Sequence, residues 1–285
     1  MRVLTFSELV RSLQDLGLEK GDVVHVQSDL RRIGPVDAEM TRDGVCEFYY
    51  AAFREVTGDL GTLTVCTSFE DYGRFGTPFV LEESPSRTDT FSEYIRTKPG
   101  AIRSPHPIVS VTGIGPATEK ICGGPHFEGF GYESPWGRLH RSNAKILSLG
   151  IGANVEGGMT FLHYVEHLYG VPYQYTKIYD TPVYTKGQRV AGPFTMSVRY
   201  LDFNIENAPF RIKTKMLDEG CARQTKVGRA DTWCATAANI VDRVISYLNE
   251  DRWIYLQEAP RFRSGEIPAD GPVEAALQRR YDKGA

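Results

Sequence analysis

The chain has 285 residues, of which 41% are apolar and 24% are charged, and its formal net charge is −3. This is the composition of a globular protein with a core large enough for one large domain or two modest ones. Because the sequence has no long basic run, general nucleic-acid binding is disfavoured. It has neither a run of about 18 apolar residues nor an apolar block near its start, so it predicts no membrane span and no signal peptide. We therefore expect a cytoplasmic protein.

The cysteines are odd in number, and no two of them form a C-x-x-C pair. This pattern disfavours a disulfide framework and a structural zinc site. We expect reduced, mostly buried thiols at all five positions: Cys46, Cys66, Cys122, Cys221 and Cys234.

The first part of the chain predicts a βαβ unit. Apolar residues spaced by three and four over residues 5–16 indicate a helix that ends at Gly17. Strand, helix and strand then follow at a spacing that favours a parallel sheet. The elements concerned are a buried strand over residues 22–26, a loop over 27–34, a helix over 41–56 and a strand over 61–66.

The rest of the chain mixes helices, strands and loops. Residues 68–87 lack periodicity and predict a long loop, which is a candidate substrate lid. Alternation around a Lys186-Gly187 turn predicts an antiparallel meander over 173–200. The other predicted elements are a short helix over 88–97, a turn over 103–107, strands over 108–114 and 145–150, a loop over 151–159, helices over 160–169, 208–217 and 235–249, a polar loop before the last helix, and a loose tail of about twenty residues.

These elements predict one α/β domain over residues 1–285. We expect a central, mostly parallel sheet flanked by helices. The antiparallel meander belongs to a β-rich C-terminal portion over about residues 173–260.

The densest group of polar residues lies in the predicted helix over 160–169. On a helix, His163 is one turn from Glu166 and from His167, and Thr160, after two glycines, is a candidate N-cap. A histidine near a helix start that is held by a carboxylate is well placed to act as a general base. This group is the candidate catalytic centre.

The same segment also matches H-x-x-E-H, the zinc motif of inverted zincins. Two histidines four residues apart can share a metal ion with Glu166 as base, so a zinc hydrolase is the alternative of a different class. A third protein ligand is required, and the carboxylates of Asp218, Glu219 and Glu250 sit in no recognisable motif. The short pattern also arises by chance, so we expect no metal. A helix with a solvated polar face is the plain structural alternative.

Three further segments combine polar residues with turns. Arg103-Ser-Pro-His-Pro-Ile-Val-Ser110 suits an anionic ligand such as phosphate, or is a rigid turn whose side chains satisfy the backbone. Gln27-Ser-Asp-Leu-Arg-Arg-Ile-Gly34 follows the first strand, where α/β proteins bind ligands, but matches no P-loop or dinucleotide fingerprint. Gly131-Tyr-Glu-Ser-Pro135 shapes a pocket or is only a turn.

In this order the segments resemble the aminoglycoside 3-N-acetyltransferase family, also called the antibiotic N-acetyltransferase family. That family shows V-H-S-S-L after its first strand, then R-S-x-H-P-x-x-S-V, G-x-x-S-P, L-L-L-G-V-G and a helix with N-T-x-x-H-x-x-E. The matching segments here are residues 26–30, 103–111, 131–135, 147–152 and 159–166, with a late match at 226–228. The resemblance spans most of residues 13–248.

The resemblance implies an α/β fold, acetyl-CoA as co-substrate and acetyl transfer to an amino group of a sugar-like molecule. It implies that His163 is the base and Glu166 its partner, and that the chain forms a homodimer. In such a reaction Thr160, or a backbone N–H near Gly157, is a candidate donor to the developing oxyanion. The residues that the resemblance places against CoA are Ser28, Asp29, Leu30, Arg103, Ser104, His106, Ser110 and Val111.

Three of the departures from the family pattern change the chemical type of a residue in the loop after the first strand or before the predicted helix over 160–169, and residues 69–85 match no part of that pattern. Gln27 stands where the family has histidine, Asp29 replaces its second serine, and Met159 replaces its asparagine. A carboxylate near a CoA phosphate is unexpected unless it points outward. These departures bear on the substrate more than on the reaction class.

The acceptor is expected to be cationic, because the loop over 68–87 carries acidic side chains. Glu70, Asp71 and Tyr72 are its candidate contacts, and a loop that is only solvated is the alternative. Two acceptors stay open: an aminoglycoside, which would give antibiotic resistance, and an amino sugar of surface-polysaccharide or natural-product biosynthesis, acylated from acetyl-CoA or another acyl-CoA. The altered loop after the first strand slightly favours the second. A CoA-binding protein without catalysis is disfavoured by the intact pair of His163 and Glu166.

Overall fold

The computed structural model describes residues 3–201, 203–263 and 265, so the tail predicted over the last twenty residues lies outside the described part of the chain. Within that part, no helix is long and apolar enough to cross a membrane. The helices are α1 (Phe6–Asp15), α2 (Leu30–Ile33), α3 (Arg42–Thr57), α4 (Glu70–Phe75), α5 (Thr90–Arg96), α6 (Thr118–Cys122), α7 (Pro135–Arg141), α8 (Phe161–Tyr169), α9 (Pro209–Asp218) and α10 (Ala237–Glu250). The strands are β1 (Val23–Ser28), β2 (Thr62–Cys66), β3 (Phe79–Val80), β4 (Ile102–Arg103), β5 (Val111–Ile114), β6 (Lys145–Leu149), β7 (Gln174–Tyr179), β8 (Val183–Thr185), β9 (Gln188–Arg189), β10 (Phe194–Arg199), β11 (Arg223–Val227) and β12 (Ala230–Thr236).

A seven-stranded sheet forms the centre of the fold, in the order β11-β12-β6-β1-β2-β5-β4. β1 is parallel to both β2 and β6, and the outer pairs are antiparallel. Following these pairings across the sheet, five of the seven strands point in one direction. The predicted α/β class with a central, mostly parallel sheet is confirmed.

Two apolar clusters pack against the sheet. Along β6, Ile146 belongs to one cluster, whereas Leu147 and Leu149 belong to the other. Because successive side chains of a strand point to opposite faces, the two clusters cover the two faces of the sheet. Burial on both faces fits the sequences of β2 and β6, in which only threonine and serine separate the apolar residues. All five cysteines are free thiols and four are buried, as predicted.

Two smaller sheets lie outside the main one. β7 pairs antiparallel with β10, and the β8–β9 hairpin between them in sequence pairs with β3. The predicted antiparallel pairing over 173–200 is confirmed, with the difference that one hairpin is nested inside another pair. The loop predicted over 68–87 contains α4 and β3, and it is tied to this region by a third apolar cluster of Phe69, Tyr72, Phe79, Val183 and Phe194.

The polar stretch before the last helix forms a hairpin, so the loop predicted there is wrong. β11 pairs antiparallel with β12, which continues the main sheet beside β6. β11 is an edge strand, and its residues Arg223, Gln224 and Lys226 are exposed. An edge strand of this kind lacks the apolar alternation by which strands are recognised in a sequence.

The carboxyl ends of the parallel strands meet at one edge of the main sheet. Gln27 and Ser28 end β1 there, and the Asp29 N–H donates to the carbonyl of Leu149 at the end of β6, at 2.9 Å. The connection from β6 leads directly to α8. This edge therefore brings the loop after β1 next to the helix that carries His163. The single-domain organisation over residues 1–285 stays a prediction.

Candidate active site

A chain of three side chains ends at His163. Its Nδ1 atom lies 2.7 Å from Oε2 of Glu166, one turn further along α8. The second carboxylate oxygen, Oε1, accepts a hydrogen bond of 2.7 Å from the hydroxyl of Tyr173. Glu166 is only 1% exposed, whereas the side chain of His163 is 32% exposed. Both oxygens of the buried carboxylate are thus satisfied, and the histidine reaches the surface.

The arrangement leaves Nε2 of His163 as the proton acceptor. When Nδ1–H donates to Glu166, the lone pair of the neutral imidazole lies on Nε2. The rings of Phe130 and Tyr255 pack against the imidazole with centroid distances of 6.0 and 5.8 Å. The pKa values of Tyr173 and Tyr255 are raised well above the usual range of tyrosine, mainly by burial and also by the nearby charge of Glu166. A fixed ring with one open nitrogen is what a general base requires.

Thr160 is held by Gln27 and does not act as the predicted side-chain N-cap. It occupies the N-cap position of α8, but its backbone is already helical and its side chain caps no helix N–H. Nε2 of Gln27 instead donates to Thr160 Oγ1 at 2.7 Å, and Oε1 of Gln27 accepts the Thr160 N–H at 2.5 Å. Because the hydroxyl oxygen accepts here, its hydrogen is available to a ligand.

Side chains from three elements hold the loop that joins β6 to α8. Oγ of Ser148 donates to the carbonyl of Gly158 at 2.6 Å. Gln224 on β11 accepts the N–H of Ala153 at 2.7 Å. Lys213 on α9 donates to three further carbonyls of the loop. The protein itself therefore fixes the backbone that precedes α8.

The two histidines of the H-x-x-E-H motif have different partners. Nδ1 of His167 lies 2.6 Å from Oγ of Ser197, and its Nε2 lies 3.2 Å from Oε1 of Glu128. His163 is bonded to Glu166, so the motif does not converge on one point. Among the described residues, no three His, Cys, Asp or Glu side chains are grouped as a metal ion requires. The geometry gives the zinc hydrolase no support.

Arg103 is built into the protein interior. It is 9% exposed, and Nε donates to Oγ of Ser110 at 3.1 Å while the terminal nitrogens donate to the carbonyls of Thr67 and Ser84. The guanidinium also lies 4.7 Å from the ring centroid of Phe79. Burial lowers the pKa of Arg103 to about 9. All these partners belong to the protein, so Arg103 braces the segment predicted as a lid.

The other polar residues of this segment are buried and paired as well. Ser104 accepts the N–H of Val111 at 2.9 Å, which closes the turn. Nε2 of His106 donates to the carbonyl of Thr195 at 3.1 Å, and its Nδ1 accepts the N–H of Val109. Burial lowers the pKa of His106 to about 3. The segment thus has the structure of a rigid turn whose side chains satisfy backbone groups. Contact of these residues with CoA stays a prediction.

The loop after β1 is more accessible. Ser28 donates to the carboxylate of Asp89 at 3.3 Å. Asp29 pairs with Arg31 at 3.6 Å and with Arg32 at 3.1 Å, and its side chain is 25% exposed. The unexpected carboxylate therefore has cationic partners next to it in the chain. Contact of this loop with CoA stays a prediction.

α4 carries the three residues predicted to contact the acceptor. Glu70 pairs with Arg74 at 2.7 Å, and Asp71 pairs with Arg87 at 2.9 Å. Tyr72 is 1% exposed, and its hydroxyl donates at 2.8 Å to a carbonyl between β7 and β8. Both carboxylates thus have an arginine partner, and Tyr72 is a core residue. Acceptor binding at α4 stays a prediction.

Three residues of the site carry no sequence signal of their own. Tyr173 follows α8 without belonging to a motif, and Lys213 has the spacing of an ordinary helix residue. Gln27 stands out only as a departure from the family pattern. Its position at the end of a buried strand is the one clue that its side chain faces the site.

Residues 25–249 match the sequence profile of the aminoglycoside 3-N-acetyltransferase family. The match covers more than half of the chain and includes the segments of β1 and α8 that form the site. The chain belongs to the aminoglycoside 3-N-acetyltransferase family. It is accordingly an acyltransferase with acetyl-CoA as its co-substrate.

Characterised relatives are similar over almost their whole length. Aminoglycoside N(3)-acetyltransferase VII of Streptomyces paromomycinus is 28% identical over 280 residues, which cover 87% of this chain and 92% of that protein. Aminoglycoside N(3)-acetyltransferase III of Acinetobacter baumannii is 28% identical over 272 residues, with coverages of 86% and 92%. The similarity thus extends over almost the whole of these two relatives.

Solved structures show the same fold. AAC-VIa bound to sisomicin superposes with a TM-score of 0.74 at 27% identity, covering 87% of this chain and 99% of that chain. The binary complex of AAC-IIIb with CoASH superposes with a TM-score of 0.73 at 25% identity, covering 91% and 100%. The first of these proteins binds sisomicin and the second binds CoASH.

Proposed function

We propose that the protein transfers the acetyl group of acetyl-CoA to an amino group of an aminoglycoside or a related amino sugar. The observation that carries this proposal is the hydrogen-bonded chain from Tyr173 through Glu166 to His163, whose side chain is 32% exposed and whose Nε2 has no hydrogen-bond partner among the described residues. It occurs in a member of an acetyltransferase family, and relatives with the same fold bind sisomicin and CoASH.

His163 acts as the general base. Nε2 removes a proton from the amine as its nitrogen attacks the thioester carbonyl carbon. The C–S bond then breaks, CoA leaves as its thiolate, and the imidazolium returns the proton to that sulfur. Glu166 orients the ring and stabilises its charged form, and Tyr173 keeps the carboxylate in place. A positioned base of this kind contributes about 10²–10⁴-fold to the rate.

The hydroxyl of Thr160 donates to the oxyanion that develops on the acetyl group. Gln27 occupies the hydroxyl oxygen as a donor and also engages the Thr160 N–H, so the hydroxyl hydrogen is the remaining donor at this residue. A donor that is oriented before the reaction stabilises developing charge without reorganisation in the transition state. This supports the role of Thr160 as a catalytic residue beside His163 and Glu166.

We infer that CoA lies along the loop after β1. Ser28, Asp29 and Leu30 begin this loop, and the side chains of Arg31 and Arg32 are 95% and 53% exposed. Guanidinium groups bind phosphate oxygens through paired hydrogen bonds, which suits the phosphates of CoA. The buried segment from Arg103 to Val111 then supports the wall of the site from behind.

The proposal also covers the amine acceptor, the cellular compartment and the oligomeric state. An aminoglycoside is favoured over a biosynthetic amino sugar, because the characterised relatives are aminoglycoside acetyltransferases. Acetyl-CoA is a cytoplasmic metabolite, so we place the reaction in the cytoplasm. The homodimer implied by family resemblance stays a prediction, which sedimentation of the purified protein would test.

Release of free thiol from acetyl-CoA tests the proposed function. The purified protein is mixed with acetyl-CoA and a panel of aminoglycosides and amino sugars, with and without a chelator. We expect thiol release that requires an amine and is unaffected by the chelator. Mass spectrometry should show an acceptor that is heavier by about 42 Da, because an acetyl group replaces one hydrogen atom of the amine. Absence of release with every amine, together with bound zinc, would favour the hydrolase instead.

A further inference from the structure

Lys213 is a charged residue in the interior of the protein. It lies on α9 and is 0% exposed, between the apolar neighbours Ile212 and Met216 of the same helix. Within the described residues no carboxylate lies within ion-pair distance of its ammonium group. Burying an ammonium group without a counter-ion is costly unless hydrogen bonds compensate for the lost water. The hydrogen bonds that compensate for the lost water at Lys213 therefore indicate its role.

Within the described part of the chain, all the hydrogen bonds of the Lys213 ammonium group go to one loop. Nζ lies 2.9 Å from the carbonyl oxygen of Gly152, 2.8 Å from that of Val155 and 3.2 Å from that of Gly157. An ammonium group has three donors, and all three are used here. The loop begins directly after β6 and leads to Thr160 and α8. Lys213 thus organises the backbone that delivers the catalytic helix.

The direction of these carbonyls fixes the direction of the neighbouring N–H groups. In a trans peptide the N–H of the next residue points away from the carbonyl. The N–H groups of Ala153, Glu156 and Gly158 therefore point away from Lys213. Ala153 donates to Gln224, whereas the N–H groups of Glu156 and Gly158 have no acceptor among the described residues.

The positive charge of Lys213 strengthens these donors. Three carbonyl dipoles end on the ammonium group, which polarises their peptide units and makes the opposite N–H ends more positive. Backbone N–H groups without an acceptor in the protein can bind oxygen anions. Gly158 has a φ of +73°, and a Cβ there would come within 2.6 Å of Ile151, so the backbone conformation requires glycine.

We propose that Lys213 is a positioning residue of the acetyl transfer, which holds the 152–158 loop so that the N–H groups of Glu156 and Gly158 bind an anionic oxygen of the acetyl-CoA substrate. The inference rests on the proposed function. The anionic oxygen has two sources, the oxyanion formed at the thioester during the reaction and a phosphate of CoA. The two sources differ in the kinetic constant that the loop controls.

The test compares Lys213→Met with Lys215→Met. Both replace a lysine of α9 by an unbranched neutral side chain, but Lys215 is a surface residue paired with Glu250 at 2.9 Å. Amine-dependent thiol release gives kcat and both KM values, and calorimetry gives the affinity for CoA itself. We expect Lys213→Met to lose at least about 10-fold in kcat or in CoA affinity, and Lys215→Met to stay within about twofold.

The pattern of the loss identifies the oxygen. A lower kcat with unchanged CoA affinity assigns the loop to the thioester oxyanion, and a weaker CoA affinity assigns it to a phosphate. Wild-type constants in a folded Lys213→Met protein would overturn the proposal. If wild-type protein itself shows no acetyl transfer, the proposed function fails, and cleavage by a Glu-specific protease after the exposed Glu156 still tests the positioning. Faster cleavage in Lys213→Met than in Lys215→Met supports the loop-holding role, and equal rates overturn it.

Discussion

The side-chain amide of Gln27 binds Thr160 twice, once at the hydroxyl oxygen at 2.7 Å and once at the backbone N–H at 2.5 Å. This links the end of β1 to the first residue before α8. Only one orientation of the amide is compatible with both bonds, because a backbone N–H can only donate. The contact therefore fixes the direction in which the Thr160 hydroxyl can donate.

Removing the hydroxyl of Thr160 is expected to slow the reaction. Thr160→Val keeps the shape of the side chain but removes the donor, so kcat should fall by about 10²–10³-fold, as when one oxyanion donor is lost. Thr160→Ser retains the hydroxyl and serves as the matched control. Gln27→Leu should have a smaller effect of the same kind, and the double variant should lose less than the two single losses combined, because both act on one hydroxyl. Strictly additive losses would contradict the coupling.

The hydroxyl of Tyr173 is expected to matter for stability and for rate. Tyr173→Phe leaves Oε1 of the buried Glu166 carboxylate without its donor, which should lower the free energy of unfolding by about 1.5–3 kcal/mol. Urea denaturation measures the loss of stability, and kcat measures the loss of rate. Tyr169→Phe is the control, since its hydroxyl donates to a neutral carbonyl, that of Leu248, at 3.1 Å. Equal stability losses in both variants would contradict the special role of the carboxylate.

Arg103 distinguishes a bracing role from a phosphate contact. Arg103→Met removes donors from buried carbonyls, so the free energy of unfolding should fall by about 3 kcal/mol, with CoA affinity of the folded protein little changed. Arg87→Met breaks an ion pair whose arginine side chain is 54% exposed and should cost under about 1 kcal/mol. A weaker CoA affinity at unchanged stability would show that Arg103 contacts the cofactor after all.

Acid should destabilise the protein through buried neutral histidines. Burial lowers the pKa of His25 to about 3, whereas an unfolded histidine titrates near its ordinary 6.5. Between these values the unfolded chain binds the additional proton, so stability falls as the pH drops, by about 1.4 kcal/mol per pH unit for this residue. Unfolding free energies at pH 6 and pH 5 measure the slope. His25→Leu should make the slope shallower by that amount, and an unchanged slope would contradict the assignment.

Sequence patterns predicted the parts of the fold that local periodicity determines. The apolar runs of β1, β2 and β6 and the helical spacing of α8 are visible because burial selects the side chains at each position. The His163–Glu166 pair followed from helix geometry alone. β11 was missed because an exposed edge strand needs no apolar face.

The remaining site contacts depend on tertiary structure. Lys213 reaches a loop some sixty residues earlier in the chain, at sequence separations of 56 to 61 residues. Gln27 and Thr160 are 133 residues apart. No local spacing in the sequence encodes such contacts. The partners of a buried lysine, or of a polar residue at the end of a strand, are therefore visible only in the folded protein. The family resemblance places Arg103 and His106 against CoA, whereas only the structure shows that their polar atoms are paired inside the protein; their contact with CoA stays a prediction.

The rate of amine-dependent thiol release by His163→Ala tests the central claim most directly. We expect kcat to fall by about 10²–10⁴-fold relative to wild type, with acetyl-CoA affinity retained because Nε2 of His163 acts on the amine. The kcat of Glu166→Gln should lie between those of wild type and His163→Ala. In this variant the His163 ring keeps a hydrogen-bond partner but no longer has a negative charge beside it. A folded His163→Ala protein that acetylates amines at the wild-type rate would contradict the account.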